Sequence, residues 1–210
     1  MKLKLNRLKS VYVNLDKDTY KNDQIKNFLN NFGFKYITRV SGIPTPENYY
    51  VGNTKSLLNA VNQYSGEPML VFEDDAFPYM FVNEIDIPDD ADAVWLGYSW
   101  LGAVINGNPN ETKIGFLHTD VPGYPHLSKI SGCLTMHSVL FISNRFVKDV
   151  IKTVELTIEN SKDQVYVFDW IVANLQPKYN IYALNVPAFC QNDINKPQMI
   201  DWTTRLIKDI

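Results

Sequence analysis

Hydrophobic and polar residues follow two alternating periods over the first part of the chain, and these periods predict strands and helices in turn. Residues 10–14 are β-branched and aromatic and predict a strand. A helix-spaced apolar stripe that closes at a glycine predicts the helix that follows: Ile25, Phe28, Leu29, Phe32 and Gly33. Residues 36–40 then predict a second strand, closed by Gly42 and a proline-bearing loop. The opening pattern is therefore β-α-β.

The same alternation continues toward the end of the chain. Further strands are predicted over residues 69–72, 93–98, 134–143 and 181–186, and further helices around residues 57–64, 146–158 and 164–175. The unbroken apolar run of residues 69–72 suits a central strand that is covered on both faces. Residues 99–132 show no sustained period and predict an irregular segment or a short hairpin. The whole pattern predicts one α/β domain over residues 1–210, with a mainly parallel sheet flanked by helices.

Composition narrows the class of protein. The 210 residues are 45% hydrophobic, which allows one sizeable core, and the formal net charge of −3 argues against stable nucleic-acid binding, which needs a basic surface. No stretch approaches the roughly 20 apolar residues that span a bilayer, so we expect no transmembrane segment. The two cysteines, Cys133 and Cys190, form neither a disulfide framework nor a metal-ligand spacing. A cytoplasmic protein is expected.

Three consecutive acids, Glu73, Asp74 and Asp75, directly follow the apolar run. Unpaired negative charge is costly beside a buried strand, so another group should compensate it. In an open α/β sheet, ligands bind beyond the carboxyl ends of the strands, where these carboxylates would lie. A divalent cation, Mn²⁺ or Mg²⁺, is the simplest compensating charge, because it prefers carboxylates and phosphate oxygens. A solvated acidic turn is the alternative.

The segment around these acids resembles a family signature. Residues 67–76 read EPMLVFEDDA and are similar to the LVFEDDA-like segment of glycosyltransferase family 25, the lipopolysaccharide and collagen galactosyltransferase group. Weaker resemblances follow the same order along the chain, at residues 11–16, 39–43, 132–145 and 187–191. Two features depart from the family. Residues 51–57 read VGNTKSL in place of a G-x-x-G-C-x-x-S-H run, and the basic cluster after the first strand is reduced to Lys17 and Lys21.

The resemblance implies a nucleotide-sugar-dependent glycosyltransferase with the Rossmann-like GT-A fold. It implies that Asp75, together with Glu73, binds Mn²⁺ or Mg²⁺, and that Glu73 or Asp74 faces the donor ribose. The donor would be a UDP-hexose carrying galactose or glucose, and the acceptor a hydroxyl group of a glycan, a protein or another molecule. Further nucleotide contacts are expected from residues at the same edge of the sheet: Asn14, Leu15, Asp16 and Arg39.

A lone acid, Asp169, lies within the apolar and aromatic stretch 165–172. Such an acid is costly unless it is paired or faces a cleft, so Asp169 is the candidate general base of an inverting transfer. An acid on the exposed face of a helix is the alternative. His137 either packs as a structural histidine or approaches the site, and Gln191 and Asp193 are candidate neighbours of the diphosphate or the metal.

Two other functions remain compatible with the sequence. The chain could keep the fold as a binding or structural module without turnover, because a fold does not determine a function. A nucleotidyltransferase also uses paired carboxylates and metal ions, but it ordinarily carries a glycine-rich phosphate loop after the first strand. Residues 14–18 contain no glycine, which disfavours this second alternative.

Overall fold

The computed structural model of the protein describes residues 1–98, 117–160 and 167–191. Twelve strands are found within these residues: β1 (Lys2–Lys4), β2 (Lys9–Asn14), β3 (Tyr36–Ser41), β4 (Met69–Glu73), β5 (Ala76–Pro78), β6 (Glu84–Asp86), β7 (Ala93–Gly97), β8 (Leu117–Asp120), β9 (Leu127–Ser131), β10 (Ser138–Phe141), β11 (Ile181–Leu184) and β12 (Phe189–Gln191). Four α-helices accompany them in the described part of the chain: α1 (Thr19–Asn31), α2 (Tyr49–Val61), α3 (Asn144–Asn160) and α4 (Phe168–Leu175). None of these four helices combines the length and the apolar character that crossing a bilayer requires.

Most strands belong to one sheet, in the order β3-β2-β4-β10-β7-β11-β9-β8. β3, β2 and β4 are parallel to one another, and β11 is parallel to β7. β10 lies between β4 and β7 and runs antiparallel to both, and β9 runs antiparallel to β11. β12 pairs with β7 and β5, while β1 and β6 form a separate two-stranded sheet. The predicted α/β fold with a mainly parallel sheet is confirmed, because β2, β3, β4, β7 and β11 share one direction.

Each face of the sheet carries a hydrophobic core. Successive residues of β4 point to opposite faces, so Met69 and Val71 pack into one core, and Leu70 and Phe72 pack into the other. The first core contains buried residues of α2, α3 and α4, and the second contains those of α1. β4 is therefore covered on both faces, as its unbroken apolar sequence predicts.

The strand predicted over residues 134–143 is reduced to β10. Backbone groups of Cys133 and Thr135, in the segment before β10, bond to side chains. The Gln176 side chain exchanges hydrogen bonds with the Cys133 N–H and C=O, at 2.8 and 2.9 Å, and the Trp95 indole donates to the Thr135 carbonyl at 2.9 Å. These bonds satisfy backbone groups that a longer strand would have used.

Two other predicted segments are only partly within the described residues. The helix predicted over residues 164–175 corresponds to α4, which begins at Phe168, and residues 161–166 lie outside the described chain. Of residues 99–132, the part from 117 to 131 forms the antiparallel β8-β9 hairpin. Residues 99–116 lie outside the described chain.

Outside the acidic segment, one buried carboxylate connects β7, α3 and the residue before β11. Asp92 is 1% exposed, directly precedes β7 and accepts a hydrogen bond from the Asn180 backbone N–H at 2.9 Å. The Arg145 guanidinium of α3 donates to it at 2.5 and 2.7 Å, and the Ser143 hydroxyl also donates. Burial by itself would raise the pKa of Asp92, but these hydrogen bonds outweigh it and hold the pKa below its usual value.

Candidate functional site

Three parallel strands end at one edge of the sheet, and each ends in a polar residue. β2 ends at Asn14, β3 at Ser41 and β4 at Glu73, and the strand registers place Asn14 beside Ser41 and Val13 beside Glu73. The Gly42 backbone N–H donates to the Asn14 carbonyl at 2.8 Å, which ties the ends of β2 and β3 together. The acidic segment therefore lies at the carboxyl edge of the parallel strands, where open α/β sheets bind ligands.

A cleft of about 380 Å³ opens at this edge, a volume typical of a small-molecule site. It is lined by the ends of β2 and β4, the start of α1, the loop of residues 42–46, the first turns of α2, and Gln191 of β12. Its charged lining residues are four acids and two lysines: Asp18, Glu73, Asp74, Asp75, Lys17 and Lys21. The formal charge of these lining side chains is negative, which favours binding of a cation in the cleft.

Asp74 is held by two donors within the cleft. The Asn14 amide donates to one carboxylate oxygen at 2.8 Å, and the Lys21 ammonium group lies 3.3 Å from the other. Asn14 is itself 1% exposed, and the Arg39 guanidinium donates to its side-chain oxygen at 3.2 Å. Burial raises the pKa of Asp74, and the bonds from Asn14 and Lys21 offset part of that rise. With both oxygens engaged, Asp74 is less available to a metal than a carboxylate with a vacant oxygen.

Asp75 has such an oxygen. Its Oδ2 accepts a hydrogen bond from the Gln191 amide at 2.9 Å, and the Lys21 ammonium lies 4.0 Å from the same oxygen. Its Oδ1 is buried and has no hydrogen-bond partner among the described residues. Burial, followed by the negative charge of Glu73, raises the pKa of Asp75. A buried carboxylate oxygen without a partner is costly, and a bound cation would satisfy it.

Glu73 and His137 lie close to the Asp75 carboxylate. The antiparallel pairing of β10 with β4 brings His137 opposite Glu73, so the Glu73 N–H donates to the His137 carbonyl at 3.1 Å. The His137 Nδ1 lies 3.0 Å from a Glu73 carboxylate oxygen, and His137 is 3% exposed. One ligand atom each from Glu73, Asp75 and His137 lie within 4.8 Å of one another. Carboxylates suit Mn²⁺ and Mg²⁺, and imidazole is a common ligand of divalent transition metals, so these three groups can hold a divalent cation.

The remaining predicted nucleotide contacts divide between the cleft and its flank. Leu15 lines the cleft beside Asn14. Asp16 and Arg39 are not among the lining residues: they pair with each other at 2.5 Å, and the Ser41 hydroxyl donates to the same Asp16 oxygen at 3.0 Å. Arg39 therefore does not line the cleft, but it positions the side chain of Asn14, which does.

Asp169 lies in the first turn of α4 and is partly buried. Burial, and then the negative charge of Glu73, raise the pKa of Asp169 well above its usual range. An acid on a freely solvated helix face would not be desolvated in this way. The structure thus brings Asp169 within electrostatic reach of Glu73, while the other candidate acid, Asp193, lies outside the described residues.

One wall of the cleft is the loop of residues 42–46, which packs closely on α2. Gly52 permits this contact, because a Cβ atom there would overlap the Ile43 carbonyl oxygen and the Thr45 hydroxyl oxygen. The Ser56 hydroxyl accepts a hydrogen bond from the Ile43 N–H at 2.8 Å and donates to the Gly52 carbonyl at 2.6 Å. The loop is thereby fixed to the helix.

Three residues of the site are harder to find from the sequence. Lys21 faces the acids from α1, and the sequence marks it only as one of the two lysines that follow the first strand. His137 meets Glu73 because β10 is antiparallel to β4, and the apolar pattern of a buried strand does not specify direction. Tyr49 lines the cleft from the first position of α2, and no motif marks it.

No protein-family model matches the chain, and no curated protein matches it in sequence. The matches to solved structures are distant. An inositol-1-phosphate CTP transferase from T. maritima is 10% identical, with 99% of each chain covered and a TM-score of 0.48. The CTP:phosphocholine cytidylyltransferase of Streptococcus pneumoniae is 11% identical, with 97% of this chain and 98% of that chain covered and a TM-score of 0.47.

A glycosyltransferase from Streptococcus pneumoniae TIGR4, solved in its apo form, is 15% identical, with 84% of this chain and 39% of that chain covered and a TM-score of 0.38. These three TM-scores lie below 0.5. The function of this protein therefore has to be inferred from the geometry of its own cleft.

Proposed function

We propose that the protein is a metal-dependent glycosyltransferase that moves a hexose from a nucleotide sugar, UDP-galactose or UDP-glucose, to a hydroxyl group of a glycan, a protein or another acceptor. The observation that carries this proposal is the buried Oδ1 of Asp75, which has no hydrogen-bond partner in the described part of the chain, in a residue that clusters with Glu73 and His137. The cluster lies at the carboxyl edge of the sheet, beside a cleft of about 380 Å³.

Glu73, Asp75 and His137 would hold the metal ion, Mn²⁺ or Mg²⁺. Gln191 supports this arrangement, because its amide occupies Oδ2 of Asp75 and leaves Oδ1 as the oxygen for the ion. Three protein ligands leave coordination positions for phosphate oxygens of the donor. When bound, a divalent cation neutralises negative charge that develops on the leaving nucleoside diphosphate.

Lys17 and Lys21 add positive charge to the cleft. Burial lowers the pKa of Lys21, but the charges of Asp74 and Asp75 outweigh it, so the pKa is raised and the ammonium group stays protonated. Lys21 is therefore placed to pair with a phosphate oxygen. Asn14 and Leu15 end β2 in the same cleft, where the nucleoside would lie.

Asp169 is the proposed general base of an inverting transfer. The acceptor oxygen attacks the anomeric carbon while the Asp169 carboxylate takes the proton of that hydroxyl group. The bond from the anomeric carbon to the diphosphate oxygen breaks, and its electron pair leaves with the diphosphate. A carboxylate with a raised pKa is a stronger base than an ordinary aspartate, which suits this role.

The proposal includes a cytoplasmic location. Cys133 and Cys190 are not disulfide-bonded, and Cys133 is fully buried. Thiols in this state support a reducing compartment.

Isothermal titration calorimetry tests the proposed function. Mn²⁺ is titrated first by itself, and then UDP-galactose, UDP-glucose, GDP-mannose, UTP and CTP are titrated with and without Mn²⁺. We expect a UDP-hexose to bind only when Mn²⁺ is present. In Asp75→Asn, Mn²⁺ affinity should fall by more than about 100-fold, the upper end of what loss of an outer-sphere partner costs. Asp23→Asn, which removes an exposed acid of α1, is the matched control.

The same titrations separate the alternatives. Metal-dependent binding of UTP or CTP at least as tight as that of a UDP-hexose would favour a nucleotidyltransferase, because such an enzyme takes the triphosphate as its substrate and also binds the nucleotide sugar that it forms. Absence of all nucleotide binding would favour a binding or structural module without turnover. Mn²⁺ affinity that is equal in the wild type and in Asp75→Asn would remove the metal site from this cluster.

A further inference from the structure

We propose that Tyr49 is a diphosphate-binding residue of the cleft, whose hydroxyl group donates a hydrogen bond to a phosphate oxygen of the metal-bound donor. This inference rests on the proposed function, because it takes the cleft to hold a nucleoside diphosphate. It assigns a role to the side of the cleft that α2 forms, which is separate from the acidic segment.

Tyr49 is held at the mouth of the cleft by the first turn of α2. The side chain of Asn48 caps this helix by accepting a hydrogen bond from the Tyr50 N–H at 3.1 Å. The rings of Tyr49 and Tyr50 meet edge to face, with 5.9 Å between their centroids. Tyr49 lines the cleft while 68% of it is exposed. The residue thus presents a large surface that a ligand in the cleft would cover.

The surroundings of the Tyr49 hydroxyl connect it with the acidic segment. Desolvation raises the pKa of Tyr49 even though the residue as a whole is mostly exposed, and the charges of Glu73, Asp75 and Asp74 raise it further. Lys21 acts in the opposite direction. The phenol therefore lies within electrostatic reach of the proposed metal ligands, and it keeps its proton at neutral pH. A neutral hydroxyl is a hydrogen-bond donor that a phosphate oxygen can accept.

The other hydroxyl groups on this side of the cleft are already engaged. Thr45 donates to the Asn48 carbonyl at 2.7 Å, and Ser56 donates to the Gly52 carbonyl at 2.6 Å. Both bonds hold the wall together, so among the described residues that line this side of the cleft, Tyr49 is the one whose hydroxyl group is available to a ligand. The N-terminal end of α2 adds a partial positive charge at the same place, which favours an anion there.

Calorimetry with Mn²⁺ and inorganic pyrophosphate tests this role, because pyrophosphate carries the diphosphate without a base or a sugar. We expect Tyr49→Phe to weaken pyrophosphate binding about tenfold in the presence of Mn²⁺, the effect of losing a hydrogen bond to a charged group. Mn²⁺ affinity measured by itself should not change. Tyr50→Phe is the matched control, since Tyr50 is the neighbouring exposed tyrosine and does not line the cleft.

The outcomes are distinct. A wild type that binds Mn²⁺ and pyrophosphate, with the same pyrophosphate affinity in Tyr49→Phe, overturns the role of Tyr49 and leaves the proposed function standing. Equal losses in Tyr49→Phe and Tyr50→Phe assign the effect to the first turn of α2 and also overturn it. A wild type that binds neither Mn²⁺ nor pyrophosphate overturns this role together with the proposed function. Unfolding temperatures of the variants check that each is folded.

Discussion

The carboxyl group of Asp169 bears on both the chemistry and the stability of the protein. Its pKa is raised by burial and by Glu73, so the folded protein holds a proton there more tightly than the unfolded chain does. The stability gained from this proton is fully present below the ordinary aspartate pKa of about 3.9. It is lost as the pH rises through the raised pKa of the folded state. Above that raised pKa, the ionised carboxylate is therefore a cost to folding.

Asp169→Asn should separate the two effects. We expect the transfer rate to fall at least about 100-fold, because general-base catalysis contributes about 10² to 10⁴. The unfolding temperature at pH 7.5 should rise above that of the wild type, and the difference should shrink at pH 4.5. Differential scanning calorimetry at the two pH values and a transfer assay measure these changes. Glu155→Gln, an exposed acid of α3, is the control, and wild-type turnover in Asp169→Asn would contradict the proposed base.

At the scale of one element, Gly52 decides how closely α2 approaches the loop of residues 42–46. Gly52→Ala gains about 1 kcal/mol of helix propensity, but the overlap with Ile43 and Thr45 costs about 1–3 kcal/mol, so we expect net destabilisation or a shifted loop. A shifted wall should lower metal-dependent UDP-hexose affinity at least about tenfold. Mn²⁺ affinity should stay the same, because none of its proposed ligands lies on α2 or on this loop. Glu73 ends β4, Asp75 follows β4, and His137 precedes β10.

Calorimetric titration of the Gly52 variant measures both affinities. Asn59→Ala, on the exposed side of α2, is the control for helix propensity. A tighter or unchanged UDP-hexose affinity in Gly52→Ala would show that the wall does not contact the donor.

The hydrogen bonds of Asp92 connect β7 with α3 and with the start of β11. We expect Asp92→Ala to lower the free energy of unfolding by about 2–4 kcal/mol, chiefly because the Asn180 N–H and the Ser143 hydroxyl lose a buried acceptor. Arg145→Ala should cost less than Asp92→Ala, because the Asn180 N–H and the Ser143 hydroxyl still donate to the buried carboxylate that this variant leaves without its charge partner. Urea denaturation measures both, and a larger loss in Arg145→Ala would contradict this order.

The apolar pattern of an element predicts which faces it buries but not which way it runs. It predicts β2, β3, β4 and β7 and the buried stripe of α1, since each has enough residues to show a period. β1, β5, β6 and β12 have three residues each, too few for a period to show. β10 is buried along its whole length, and a fully buried strand shows the same pattern in either direction. For this reason the pattern leaves the position of His137 undetermined.

At the scale of the whole molecule, both cores are built on the same strands. Met69 and Leu70 are neighbours in β4 and belong to different cores, so one core cannot separate while β4 stays intact. We expect residues 1–210 to unfold as one domain, with equal calorimetric and van't Hoff enthalpies. Far-ultraviolet circular dichroism and tryptophan fluorescence should give the same midpoint. Two resolved transitions would contradict the single-domain prediction.

The candidate site is likewise a property of the whole chain. His137 and Glu73 are 64 residues apart in sequence, and Gln191 and Asp75 are 116 apart. The acids are recognisable locally, because three charges directly after an apolar strand are unusual. Their partners are not recognisable in this way, because contacts at these separations follow from strand order.

The position of β10 also affects the order in which strands of the sheet can pair while the chain is being synthesised. β4 and β7 leave the ribosome with an empty place between them, and the strand that fills it is complete only at Phe141. Until then, β4 and β7 each have an unpaired edge on the side where β10 will bind. Chaperones that shield such edges would act on this protein during that interval. A central strand of the sheet thus becomes available only after both of its neighbours have been made.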